Sequence, residues 1–184
     1  MILYVKNMVC DRCVMTVRQI VASSGMTDAK VEMGKVTFAG ELSPEKIAEI
    51  GQKLGDVGFE LLKNPEDVLV ERVKNAVIEL VRSDDVGQEN LSERLAAATG
   101  TDYRQLSAVF SAHERRTVEK FYIAQKVERV KELIDYGELT VSEIAYCTGY
   151  SSVAHLSRQF KQVTGVTPTQ YKAMNQVRKP LDKV

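Results

Sequence analysis

The sequence predicts an α+β domain followed by an all-α domain, and three observations carry that prediction. Over the first 60 or so residues, short β-prone runs alternate with two stretches of helical apolar spacing in the order βαββαβ. After Pro65 the apolar periodicity is helical throughout. Within that second region one pattern of apolar and glycine positions occurs twice, about 50 residues apart. The 184 residues suffice for two compact domains, placed at 1–63 and 64–184.

The first strand is Ile2-Leu3-Tyr4-Val5, bounded by Lys6-Asn7. Over 11–24, Val14, Val17, Val21 and Ala22 recur at helical spacing, and Gly25 follows where a left-handed residue ends a helix. Residues 30–32 and 35–39 are β-prone runs around Met33-Gly34, which predicts a tight hairpin. Ser43 is a good N-cap for a second helix, with Pro44 in its first turn and Ile47, Ile50 and Leu54 on one face. Residues 59–62 supply the last strand. This order is the ferredoxin-like split β-α-β arrangement, an antiparallel sheet with both helices on one side.

Beyond Lys63-Asn64-Pro65, the positions Val68, Val73, Val77, Leu80 and Val81 mark a helix, which the polar, Gly87-containing stretch 83–90 ends. Leu95, Ala96 and Gly100 return as Ile144, Ala145 and Gly149, and Leu106, Ser107 and Phe110 return as Leu156, Ser157 and Phe160. Each copy, at about 91–112 and 140–164, is a short helix, a glycine-bearing turn and a second helix packed crosswise, a helix-turn-helix. Between them Ile123, Val127, Val130 and Ile134 mark a long amphipathic helix over about 117–135.

The formal charge is zero, but it is segregated: residues 1–114 carry 13 basic and 18 acidic side chains, and 115–184 carry 12 and 7. The basic end is where a polyanion would bind. The absence of any run of 18 apolar residues, and of a signal peptide, predicts a cytoplasmic protein without a membrane partner, whose three cysteines stay reduced. His113 and His155 have no evident nucleophile partner, and no phosphate-loop or dinucleotide motif occurs, so no enzyme is predicted.

The segment Val141-Ser142-Glu143-Ile144-Ala145, Gly149-Tyr150-Ser151-Ser152, His155-Leu156-Ser157-Arg158-Gln159-Phe160-Lys161 and Gly165-Val166-Thr167-Pro168 resembles the signature of the AraC/XylS transcription regulators. The looser first copy extends that resemblance back to about Glu66. It implies two helix-turn-helix subdomains joined by a rigid helix, each laying a recognition helix in the major groove of promoter DNA, with RNA polymerase a further candidate partner. Ser152 is then the N-cap of the second recognition helix, with Leu156, Phe160 and Val163 inward and Val153, Ala154, Ser157, Arg158 and Lys161 outward. Arg158, whose forked guanidinium matches guanine O6 and N7, is the base-reading candidate. Ser157 and Lys161 suit phosphate, and His155 suits base, phosphate or local packing. In the first copy Tyr103, Arg104, Ser107 and Ala108 face outward. Ala108 stands where the family often has a basic reader, and Arg115 takes the slot of Gly165, a position suited to positive φ. Arg115 and Arg116 are candidate phosphate contacts. Cys147 is expected to be a small buried core thiol.

Met8-Val9-Cys10-Asp11-Arg12-Cys13 joins the first strand to the first helix, which sets two sulfurs at one helix N-terminus, where the dipole favours thiolate. Two such thiolates suit a soft ion such as Cu(I), with Met8 turned inward to fix the loop. With the βαββαβ order this resembles the heavy-metal-associated domain of copper chaperones and metal-pumping ATPases. Gly58-Phe59 matches that family's aromatic beside the metal loop, whereas Asn7 replaces its usual glycine. A thiol redox switch, and a dimerisation or partner module without metal, remain as alternatives for this half. The expectation for the whole is a DNA-binding regulator that senses a soft metal through Cys10 and Cys13. The rivals are a metallochaperone or metal buffer and a C-x-x-C oxidoreductase, the latter at odds with the βαββαβ order.

Overall fold

A computed structural model describes residues 1–83 and 90–175. The chain divides into two compact units, the first made of 1–76 with 91–115 and the second of 77–90 with 116–184. The first helix-turn-helix pair therefore groups with the N-terminal sheet, a division that differs from the boundary drawn at residue 63. Most of the expected loop 83–90, including Gly87, lies outside the described residues.

The first unit opens with β1 (Ile2–Lys6), α1 (Asp11–Ser23), β2 (Lys30–Glu32), β3 (Lys35–Thr37), α2 (Pro44–Gly55) and β4 (Glu60–Leu62). The strands form one antiparallel sheet in the order β2-β3-β1-β4, with Leu3 opposite Val36 and Tyr4 opposite Leu62. Alternation along β1 turns Val5 into the core while Ile2 and Tyr4 go to the other face. α1 and α2 touch each other and bury Val17, Val21, Ile50 and Leu54 against Val5, Val31 and Val36, so both lie on one face of the sheet. Ser43 caps α2 by accepting from the Lys46 N–H at 3.3 Å. Phe38 lies just past β3, yet its N–H still donates to the Met1 carbonyl and its ring is buried.

α3 (Pro65–Arg82) begins beside this sheet, capped by the Asn64 side chain, which accepts from the Glu66 N–H at 3.0 Å. Its contact with the β2–β3 turn is close. A Cβ at Gly34 would sit 2.1 Å from the Asn75 amide nitrogen, and Gly34 has φ +73, so glycine is required there twice over. Glu71, almost wholly buried, accepts a 3.1 Å hydrogen bond from the Asn7 N–H. On the other side α3 meets α5 (Tyr103–Glu114), which follows α4 (Leu91–Thr99). Lys74 pairs with Glu114, and the two His113 ring nitrogens lie 3.0 Å from Glu66 and 3.3 Å from Asp67.

The second unit contains α6 (Val118–Tyr136), α7 (Val141–Cys147), α8 (Val153–Thr164) and α9 (Pro168–Asn175). Its core joins Val127, Val130 and Ile134 of α6 to Ile144, Ala145, Leu156 and Phe160, with Tyr150 between α7 and α8. The helix ends follow from local chemistry. Thr117 caps α6, Thr140 and Glu143 form a reciprocal capping box on α7, and Gly137 and Gly165 end α6 and α8 in the left-handed region.

Candidate functional site

Within the second unit, α7, the turn through Gly149 and α8 form the helix-turn-helix. Tyr150 is buried at the turn and its N–H donates to the Ala145 carbonyl at 2.8 Å. Ser152 caps α8 as expected, its hydroxyl accepting from the His155 N–H at 3.1 Å. Leu156 and Phe160 are fully buried, and this fixes which face of α8 is left outward. Ser152, Val153, Ala154, Arg158 and Lys161 are exposed, and Ser157 is half-buried beside them. α8 carries no acidic residue, so its outward face is purely cationic. His155 packs locally: its Nδ1 lies 3.1 Å from the Ser151 hydroxyl, and its ring meets Tyr150 edge-on at 5.3 Å. Val163 departs from the expectation, since it is 47 % exposed. Periodicity gives a side chain's direction only, and in this last turn of α8 the buried stripe has ended at Phe160.

In the first unit, α5 has the same construction. Asp102 caps it, accepting from the Arg104 and Gln105 N–H groups, and Leu106 and Phe110 are fully buried. Arg104 and Ala108 are exposed, whereas Tyr103 and Ser107 are half-buried. Arg115 ends the helix at φ +54, in the conformation that Gly165 adopts at φ +84. The Arg116 guanidinium lies 4.6 Å from the Phe121 ring centroid.

Sequence reasoning missed Lys126. It is almost wholly buried on α6, with its ammonium 3.9 Å from the Tyr150 ring centroid and 5.6 Å from that of Tyr122, and it donates to the Gly149 carbonyl at 3.3 Å. Desolvation pulls its pKa down to about 8, and burial beside Tyr122 pushes Tyr150 up to about 12. The helix-turn-helix turn is thus held to α6 by a cation–π contact. The available signal was a lysine adjoining the apolar stripe at Val127.

The thiol loop is also formed. Cys10 and Cys13 are half-buried with their sulfurs 3.4 Å apart, Cys10 stands at the N-cap of α1, and Met8 is fully buried. Asn7 adopts φ +71, the left-handed region that asparagine enters more readily than most non-glycine residues. Its side chain donates to the Gly58 carbonyl at 3.0 Å, which draws the Gly58-Phe59 turn to the loop. Asp11 and Arg12 are exposed and form no ion pair with each other. Among the described residues no group of three or more histidine, cysteine or acidic side chains is disposed to hold a metal. Cys147 is exposed, which overturns the expectation of a core thiol. The short helix α7 turns Ile144 and Ala145 inward and leaves its last two residues, Tyr146 and Cys147, outside.

Comparison with known proteins agrees with this construction. A family model described as "Helix-turn-helix domain" matches residues 95–174. The chain is 32 % identical over 74 residues to the HTH-type transcriptional regulator GlxA of Rhizobium meliloti, which is 40 % of this chain and 23 % of that protein. It is 27 % identical over 100 residues to the transcriptional activator NphR of a Rhodococcus species, or 51 % of this chain and 30 % of that one. The match therefore spans less than a third of either relative. Among solved structures, the C-terminal domain of the response regulator AraT from Geobacillus stearothermophilus aligns with TM-score 0.52 at 22 % identity, covering 66 % of this chain and 92 % of that domain. The DNA-binding domain of AdpA, solved with a target DNA, aligns with TM-score 0.51 at 23 % identity, over 65 % and 99 %. These likenesses establish a shared fold. Residues 95–174 carry a helix-turn-helix domain. No described helix is long and apolar enough to cross a membrane.

Proposed function

We propose that this protein is a transcription regulator that binds specific double-stranded DNA through α8 and α5, and that the Cys10–Cys13 loop binds Cu(I) as its signal. The observation that carries the first part is the outward face of α8, where Arg158 and Lys161 stand exposed, without an acidic residue, opposite the buried Leu156 and Phe160. Arg158 reads a guanine edge, Lys161 and Ser157 meet phosphate, and Tyr103, Arg104 and Ser107 supply contacts from α5. The test is selection of bound duplexes from a random pool. Arg158→Ala should weaken the selected site by roughly 1–3 kcal/mol and relax preference at one base pair, while Lys161→Ala weakens all sequences alike. Unchanged base preferences in Arg158→Ala would overturn the readout.

For the second part, the donor set fits: two soft sulfur groups 3.4 Å apart in one loop beside the buried Met8, with no third histidine, cysteine or acidic side chain grouped with them among the described residues. Bound there, the ion would be held by Cys10 and Cys13. The ferredoxin-like reading of 1–63, with its likeness to heavy-metal-associated domains, is supported by the β2-β3-β1-β4 order and by the positive φ of Asn7. Coupling to the first helix-turn-helix has a physical route, since Asn7 donates to Glu71 on α3, and Lys74, one turn further along α3, pairs with Glu114 on α5. An ion acts through this route only if it binds two arrangements of the loop unequally. A Cys10→Ser, Cys13→Ser double variant should lose Cu(I) to a thiol competitor and lose any metal effect on DNA affinity, while keeping metal-free DNA binding.

A further inference from the structure

The face of the sheet opposite α1 and α2 is not simply covered by the helices of its unit. An open, groove-like cavity of about 710 Å³ lies between β1, the start of α3 and the α4–α5 turn, within the size range of small-molecule sites. Its walls are of two kinds. Tyr4, Leu69 and Val109 supply apolar surface from β1, α3 and α5, and Lys63, Arg72 and Gln105 supply polar groups. The acidic residues at its edge are engaged elsewhere: Glu66 is bonded to His113, and the Asp102 carboxylate accepts from two backbone N–H groups at the start of α5. The two cations are not matched in this way. Arg72 donates to the Ala98 carbonyl at 3.4 Å, and neither Arg72 nor Lys63 is paired with a carboxylate among the described residues.

We infer that this cavity is a binding site for a small apolar carboxylate, with its body against Tyr4, Leu69 and Val109 and its carboxylate on Arg72 and Lys63. The chemistry follows from complementarity. An arginine offers a planar fork for a carboxylate, the neighbouring acids are already committed, and the remaining surface rewards an aromatic or short aliphatic body. A molecule seated there touches β1 and α5 together, so it braces the first helix-turn-helix against the sheet.

The probes are benzoate and hexanoate, with benzamide and hexanamide as neutral controls of matched shape, titrated into the full chain and followed by backbone and side-chain NMR shifts. The carboxylates should bind saturably, with Kd of roughly 10 mM or below, as befits fragments of this size, and with the largest shifts at Tyr4, Arg72 and Gln105. The amides should bind at least about tenfold more weakly. Arg72→Gln combined with Lys63→Gln should remove that preference without changing amide binding. Val109→Trp, which fills the cavity from α5, should abolish binding of all four, with thermal unfolding used to confirm that each variant is folded. Equal binding of acid and amide, shifts that map elsewhere, or no binding by the wild-type chain would overturn the assignment. The titration contains neither DNA nor metal, so its failure leaves the proposed regulator function standing, and failure of DNA selection leaves this site standing.

Discussion

Glu71 is an almost wholly buried carboxylate whose pKa is raised by desolvation, against the opposing pull of the Asn7 N–H and of Lys74. A carboxyl with a raised folded-state pKa contributes stability at low pH that is lost as pH climbs through the folded value, so its charge is a cost at neutrality. Glu71→Gln keeps an acceptor for Asn7 without that charge, and should leave stability at pH 7 unchanged or higher. Glu71→Ala strands the Asn7 donor and should cost about 1–3 kcal/mol in urea unfolding. Lys126 has the converse sign. With a folded pKa of about 8 against an ordinary 10.5, its burial penalises the charged form, so the unfolded chain binds more protons between those values and stability rises with pH from about 8. Tyr150, held neutral up to about 12, reverses the trend above its ordinary 10, so urea midpoints should climb between pH 8 and 10 and fall beyond. Lys126→Met should flatten the climb. Neither buried charge stands out in the sequence: Lys126 adjoins the apolar stripe at Val127, but a single lysine or glutamate on an amphipathic helix reads as solvated surface until a neighbouring element covers it. Cys147 and Val163 fail in the opposite direction, since their types suggest burial and both are exposed.

At the scale of elements, the ends of the helices were the most legible part of the chain, because caps are local chemistry. Ser43 and Ser152, the two caps read from the sequence, accept the backbone N–H groups expected of them, and Thr117 and Thr140, not singled out there, do the same. The second helices of the two helix-turn-helix pairs make this quantitative. Both end in the left-handed region, α8 on Gly165 and α5 on Arg115, and an L residue there carries a steric cost that glycine lacks. Arg115→Gly should therefore stabilise the protein by about 0.5–1 kcal/mol, and Gly165→Ala should destabilise it by about 1–2 kcal/mol, both read from urea midpoints. An unchanged midpoint in Arg115→Gly would mean that the arginine makes compensating contacts. The packing of α3 on the β2–β3 turn was not legible. Gly34 reads as a hairpin glycine, and only the Asn75 amide lying where its Cβ would be shows that it also admits a second element.

For the whole molecule, the order of strands and helices and the duplicated pattern could be read in advance, but the grouping of elements into units could not. Periodicity describes each element's own faces and is silent on which other element covers them. The grouping of α4 and α5 with the sheet has a consequence for the proposed signal: Glu71→Ala should leave Cu(I) bound to Cys10 and Cys13 yet reduce or abolish its effect on DNA affinity. A full metal response in that variant would remove Asn7–Glu71 from the route. On the proposed readout, the selected DNA should also carry more sequence information in the half met by α8, because α5 has Ala108 where α8 has the exposed Arg158. Equal information in both halves would count against that. α3 bears finally on how such a chain can be rebuilt. It runs unbroken from Pro65 to Arg82, yet its residues as far as Ala76 group with the sheet and the remainder with the second unit. Exchanging residues 1–63 for a foreign sensor would strip the Asn7 donor from Glu71 and the glycine turn from Asn75, and leave polar groups shaped for a partner no longer there. The natural seam for a transplant is therefore not the proline that opens α3, and a working chimaera would have to carry the first turns of α3 along with the sheet they fit.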